Sequence, residues 1–102
     1  MTGIERIAVE RIRQLEDEGY GAPHDDTYTR GELANAAAAY TVASLWRDGD
    51  RVRYGPVNCP ISWPWDTAHW RPRGRIEDLV RAGALIAAEI DRLERAGEAV
   101  QP

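Results

Sequence analysis

"RIEDLVRAGALIAAEIDRLERA", residues 75–96, decides the fold class. It contains no proline, and Ile76, Leu79, Val80, Gly83, Ile86, Ala87, Ile90 and Leu93 recur at helical spacing as one apolar stripe. Asp78, Arg81, Leu85, Glu89 and Arg92 fall on the opposite face. The spacing predicts a single amphipathic helix with its stripe turned toward a core. Gly83 within it costs roughly 1 kcal/mol against alanine, so it marks a close crossing with another helix.

Two further helices read outward from this one. "TRGE", Thr29–Glu32, has the form of a capping box, and the helix it opens runs through "LANAAAAYTVASLW" to about Trp46. Ala34 and Ala36 to Ala39 let a neighbouring helix approach closely at little side-chain entropy cost. "RDGD" at 47–50 ends it. At the start of the chain, "TGIE" is another capping box, and Ile4, Ala8, Ile12 and Leu15 mark one helical face. Gly19 and Gly21 close that helix.

Between Trp46 and residue 75 the chain is punctuated by Gly49, Gly55, Pro56, Pro60, Pro64, Pro72 and Gly74. "RVRYG", 51–55, reads as a short strand within this connection. A connection of this length in so small a domain is often functional. The expected architecture is all-α: three main helices with a long irregular Trp/Arg/Pro-rich connection before the last. It forms one domain over 1–102, with 48–74 an irregular flap and 97–102 a frayed tail. A domain this small is marginal in stability, and its alanine- and glycine-rich faces predict a homo-oligomer.

Charge narrows the partners. The 102 residues carry a net charge of −4, against general coating of a nucleic-acid polymer. The distribution is uneven: residues 51–75 hold Arg51, Arg53, Arg71, Arg73 and Arg75 against Asp66 alone. All thirteen basic residues are arginine, whose planar fork suits carboxylate and phosphate. The single cysteine, Cys59, forms no internal disulfide, and its loop setting gives no sign of catalysis. No run approaches membrane-spanning length, and charged residues interrupt the N-terminal stretch where a signal peptide would be apolar, so a cytoplasmic protein without membrane partners is expected.

Three groups of residues carry candidate chemistry. "HDD", His24 to Asp26, offers an imidazole and two carboxylates. It resembles the doublet of metal phosphohydrolases, but that family needs a histidine upstream, and the other histidine here, His69, lies downstream. The simpler reading has Asp25 and Asp26 stabilising the dipole of the helix that follows. Glu32, Asp78 and Glu89 are the second group. All-α nucleotide pyrophosphohydrolases of the MazG type hold magnesium on carboxylates spaced by three. Here the partner positions are Asn35 and Arg81, so the motif is incomplete.

The third group is "WPWDTAHWRPRGR", 63–75, with three of the four tryptophans beside three arginines. Tryptophan offers a large flat surface that stacks on a base, for roughly 1–3 kcal/mol. Arg71, Arg73 and Arg75 lead into the first turn of the last helix, where free N–H groups favour anions. Trp63, Trp65, Trp70, Arg71, Arg73, Arg81 and His24 are therefore the expected ligand-binding residues, for a small anionic nucleotide-like ligand. The opposing reading seals the tryptophans into the core as a structural or protein-interaction module. A magnesium-dependent nucleoside triphosphate pyrophosphohydrolase using Glu32, Asp78 and Glu89 is the enzymatic alternative. The preferred reading is not enzymatic, since no nucleophilic triad is visible, and needs no cofactor.

Taken together, "IERIAVERIRQLEDEGY", "HDD", "GELANAAAAY", "WPWDTAHWRP" and "DLVRAGALIAAEIDRLER" resemble a family of small, largely uncharacterised phage and prophage proteins. The likeness spans nearly all of residues 4–95. In that family position 81 is commonly lysine, which implies that a cation is wanted there, and a histidine often stands where this chain has Tyr28. The resemblance implies a phage setting and the cytoplasm of a bacterial host. In that setting small proteins handle, and can sequester, host nucleotides or nucleotide immune signals.

Overall fold

The computed structural model describes residues 1–46 and 59–102. In chain order its elements are α1 (Gly3–Glu16), the one-turn α2 (Ala22–Asp25), α3 (Glu32–Ser44), a 3-10 turn (Thr67–His69) and α4 (Arg75–Arg95). The fold is all-helical, with α1, α3 and α4 as its main helices, and there is no strand among the described residues. The strand expected over 51–55, with 48–58 of the flap, lies outside the described residues.

α4 is the organising element, and α3, α1 and α2 all pack on it, α3 most extensively. Glu32 at the start of α3 acts electrostatically on Arg92, and Tyr40 further along meets Arg81, so α3 runs antiparallel to α4. Ile7 of α1 lies against Gly83, and Asp26, just past α2, reaches Arg95, so α1 runs parallel to α4. Between α3 and α4 the packing is made of small residues. Ala36, Ala37, Ala39 and Ala43 are buried on one side, Ala82, Ala84 and Ala88 on the other. Alanine faces bring helix axes close but bury little area per residue. Trp70, 1% exposed, supplies the bulk the alanines lack, within a cluster that includes Tyr40 and Ala43.

The local signals acted unequally. The Thr2–Glu5 capping box forms: Glu5 N–H donates to the Thr2 hydroxyl at 3.2 Å, and Thr2 N–H donates to the Glu5 carboxylate at 2.8 Å. The box expected at Thr29–Glu32 does not. Gly31 stands at the N-cap of α3 in the left-handed region, φ +79°, and Glu32 accepts the Arg30 N–H at 2.6 Å. A glycine that can turn the chain there removes the need for the Thr29 hydroxyl.

The stripe of α1 and half of that of α4 point outward, against expectation, while Val80, Gly83, Ala87 and Leu93 of α4 are half-buried and Gly83 makes the expected close crossing, with Ile7. Ile4, Ile12 and Leu15 of α1 are exposed, as are Ile76, Leu79, Ile86 and Ile90 of α4. α4 instead buries Asp78 and Ala88 and half-buries Arg81, Leu85, Glu89 and Arg92, the face read as polar. α1 turns Ile7, Glu10, Arg11 and Gln14 inward. The helical period was right, but the inward face was wrong for α1 and only partly right for α4, because the inner side of these helices walls a polar cleft. The small-residue faces that suggested self-association are occupied within one chain, by the α3–α4 packing and by Ile7 on Gly83.

Gly83 makes a direct prediction. A Cβ there would stand 2.5 Å from Ile7 Cδ1 and 2.8 Å from Ile7 Cγ1. Gly83→Ala should gain about 1 kcal/mol in helix propensity and lose about 1–3 kcal/mol to overpacking. Urea denaturation should show a net loss, and the double variant with Ile7→Ala should lose less than the two single losses added together; a stabilised Gly83→Ala would contradict the contact.

Candidate functional site

The tryptophan segment is folded by its own polar groups. Asp66 caps the 3-10 turn, its carboxylate accepting from Ala68 N–H at 2.8 Å, and its carbonyl accepts from Trp63 Nε1 at 3.0 Å. Pro64 fixes φ between Trp63 and Trp65, which separates the two rings' directions: they meet edge to face, 5.2 Å between centroids. Trp70 follows the turn and drops into the core against Trp63 (4.9 Å) and Tyr40 (5.0 Å). After it, the Arg73 N–H donates to Asp78 Oδ1 at 2.9 Å, tying the arginine-bearing strand of chain to the first turns of α4.

The other end of the site is fixed by α2. Asp25, 1% exposed, accepts from Arg11 Nη2 of α1 at 2.8 Å and pairs through its other oxygen with His24 Nδ1 at 3.0 Å. Asp26 pairs with Arg95 of α4 at 2.8 Å. The two aspartates thus clamp α2 to α1 and α4; they do not serve the dipole of the following helix. His24 stacks on Tyr20 at 4.4 Å and meets Tyr28 edge-on at 5.2 Å. Tyr28 in turn reaches Trp65 at 5.2 Å. Tyr20, His24, Tyr28, Trp65, Trp63 and Tyr40 form a continuous aromatic chain.

This chain lines a cleft of about 650 Å³. The facing wall comes from Glu10, Arg11, Arg13 and Gln14 of α1, and Arg71, Arg73 and Arg81 complete the rim. The charges sort into two regions. In the first, Arg11 is neutralised by Asp25, and Arg13 by Glu10 (2.7 Å) and Glu18 (2.6 Å). Hydrogen bonds from Arg13 hold the Glu10 carboxyl below the usual carboxylate range, so this pair stays ionised at neutral pH. In the second, Arg81 donates to the Arg71 carbonyl at 2.9 Å and to the Tyr40 hydroxyl at 3.4 Å, its guanidinium 5.4 Å from the Tyr40 ring centroid. Neither Arg81 nor the exposed Arg71 makes an ion pair among the described residues, although Glu10 across the cleft acts on Arg81 electrostatically. Burial raises the Tyr40 phenol above its ordinary value, keeping it a neutral hydroxyl beside that cation. The cleft therefore joins aromatic faces to an arginine-rich rim, with Arg81 held by a carbonyl and a phenol rather than in an ion pair.

Of the residues expected at a ligand site, His24, Trp63, Trp65, Arg71, Arg73 and Arg81 line this cleft. Trp70 does not; it is a core residue, because the turn at 67–69 directs it inward. The indoles thus divide between wall and core. Arg11, Gln14, Tyr20 and Tyr40 also line the cleft and were not singled out in the sequence. Polar residues at helical spacing on α1, Glu10 with Arg11 and Gln14, were the available signal.

The carboxylates of the magnesium alternative are separately engaged. Glu32 accepts from Arg30 N–H, Asp78 from Arg73 N–H, and Glu89 pairs with Arg92 at 2.6 Å. Asp78 and Glu89 stand eleven residues apart on one helix, roughly 16 Å at 1.5 Å per residue, too far to share an ion. Among the described residues no three histidine, cysteine or carboxylate groups are placed to hold a metal. Nor is any helix among them long and apolar enough to cross a membrane. No family model, curated protein or solved structure matches the chain.

Proposed function

We propose that the chain is a binding protein for a small anionic, nucleotide-like molecule held in this cleft. The observation that carries the reading is the meeting of Trp63, Tyr40 and Arg81: an indole edge-on to a phenol ring, and a guanidinium outside any ion pair over that same ring. A flat heterocycle stacks on the half-buried faces of Trp63 and Trp65. Its phosphate takes the forked donors of Arg71, Arg73 and Arg81, which suit a phosphate better than a point charge would. The volume is of the order that small-molecule sites have, with aromatic walls and few polar groups fixing orientation. A sequestering role toward a host nucleotide signal, in the cytoplasm of a bacterial host, is the part of the proposal that rests only on the expected phage setting.

Isothermal titration against nucleoside monophosphates, cyclic mononucleotides and cyclic dinucleotides tests the proposal. At least one should bind at one site per chain. Arg81→Ala should weaken that binding by about 10- to 100-fold, the range of one charged hydrogen bond. Arg6→Ala, exposed and away from the cleft, should leave it unchanged. Wild-type affinity in Arg81→Ala would contradict the assignment.

A further inference from the structure

Apolar side chains of α1 and α4 stand exposed on the outer side of the fold. Ile4 (82% exposed), Ile12 (52%) and Leu15 of α1 stand beside Ile76 (61%), Leu79, Ile86 and Ile90 (51%) of α4. The helices are parallel with Ile7 seated on Gly83 between them, so the two rows form one surface. On α4 the row follows a heptad: Ile76, Leu79, Gly83, Ile86, Ile90 and Leu93 occupy successive a and d positions, of which Gly83 is taken by Ile7 and Leu93 is half-buried within the chain. That is the pattern of a seam that packs on another helix.

We infer that this face is the interface of a homodimer in which two copies meet with their α4 helices antiparallel, α1–α4 against α1–α4, as a four-helix arrangement. Three observations select a second copy. The heptad row is unpartnered over most of its length, and an identical row fills it by knobs-into-holes packing. The face spans about 31 Å along α4 and about 21 Å along α1, at roughly 10 Å of width per helix. That is on the order of 500 Å² in projection, at the upper end of what a monomer leaves apolar and of the scale of one side of a protein interface. Arg75 in the first turn of α4 and Glu94 in its last are both exposed and without ion pairs among the described residues, in turns that also hold Glu77 and Asp78, and Arg92 and Arg95. An antiparallel copy brings Arg75 of each chain to the end that bears Glu94 of the other. The cleft opens on a different side of α1, that of Glu10, Arg11 and Gln14, so this inference is independent of the ligand proposal.

Sedimentation equilibrium of the full chain decides it. The wild type should have twice the 11.4 kDa mass of one chain. Ile90→Glu and Ile12→Glu, at exposed positions, should yield monomers with unchanged helical circular dichroism. Arg75→Glu and Glu94→Arg should each raise the dimer dissociation constant, and the double exchange should restore it. A wild type that stays at one-chain mass at its highest soluble concentration would overturn the inference, whether or not it then binds lipid vesicles or another protein. So would a dimer untouched by Ile90→Glu and Ile12→Glu. Failure of the double exchange to restore association would overturn the antiparallel arrangement.

Discussion

Trp70→Ala is expected to lower the stability of the fold by about 3–5 kcal/mol, the range for removing a buried aromatic. The core it fills is otherwise mostly alanine, and the rings of Trp63, Tyr40 and Trp46 all rest on it, at 4.9, 5.0 and 6.3 Å. Small helices closed by alanine faces cannot collapse into the space left behind. Against a total stability of about 5–15 kcal/mol for an ordinary domain, the loss approaches unfolding. Trp70→Phe should cost far less: it keeps the ring and removes an indole N–H that is buried without a hydrogen bond among the described residues. Trp63→Ala is the contrast, since Trp63 is a half-buried wall of the cleft. It should cost less stability than Trp70→Ala and more affinity. Urea midpoints of the three variants check the order; equal losses for Trp70→Ala and Trp63→Ala would contradict the division of the indoles between core and wall.

Asp25→Ala should be nearly as damaging, by about 3–5 kcal/mol, because it strands a largely buried guanidinium. Arg11 is 13% exposed and Asp25 2% exposed at the side chain, and their 2.8 Å pair joins α1 to the one turn of α2. The same carboxylate orients His24, and through it the stack on Tyr20 and the contact to Tyr28. The loss is one of stranding rather than of net attraction. The double change Arg11→Met with Asp25→Leu should therefore be less destabilising than Asp25→Ala alone. Denaturation of the single and double variants checks this, and a double variant worse than the single would show that the pair itself supplies the stability.

The helices were legible because helical period and capping are local. Thr2 with Glu5, and the repeat from Ile76 to Leu93, need no knowledge of the rest of the chain. Which face turns inward is not local. The heptad on α4 is the stronger hydrophobic signal, yet the opposite face is inside, because Asp78, Arg81 and Glu89 find partners there in the Arg73 N–H, the Arg71 carbonyl and Arg92. Polar groups bury where partners offset their desolvation, and a sequence does not display those partners. The Trp/Arg cluster was visible as composition and its location at the start of the last helix followed from order along the chain. The fate of each ring was not visible, since one 3-10 turn capped by Asp66 sends Trp70 inward while Trp63 and Trp65 stay at the surface. The α1 wall was obscured for a related reason: Glu10, Arg11 and Gln14 look like an ordinary solvated face until α2 folds over them.

The indole N–H signals of the four tryptophans in a nuclear magnetic resonance titration test the central claim most directly. Each signal is assigned by a single Trp→Phe replacement, and the chain is titrated with the tightest nucleotide from calorimetry. The account predicts that the Trp63 and Trp65 signals shift with saturation and that the Trp70 signal shifts far less. Four signals unmoved at saturating nucleotide, or a shift largest at Trp70, would contradict it.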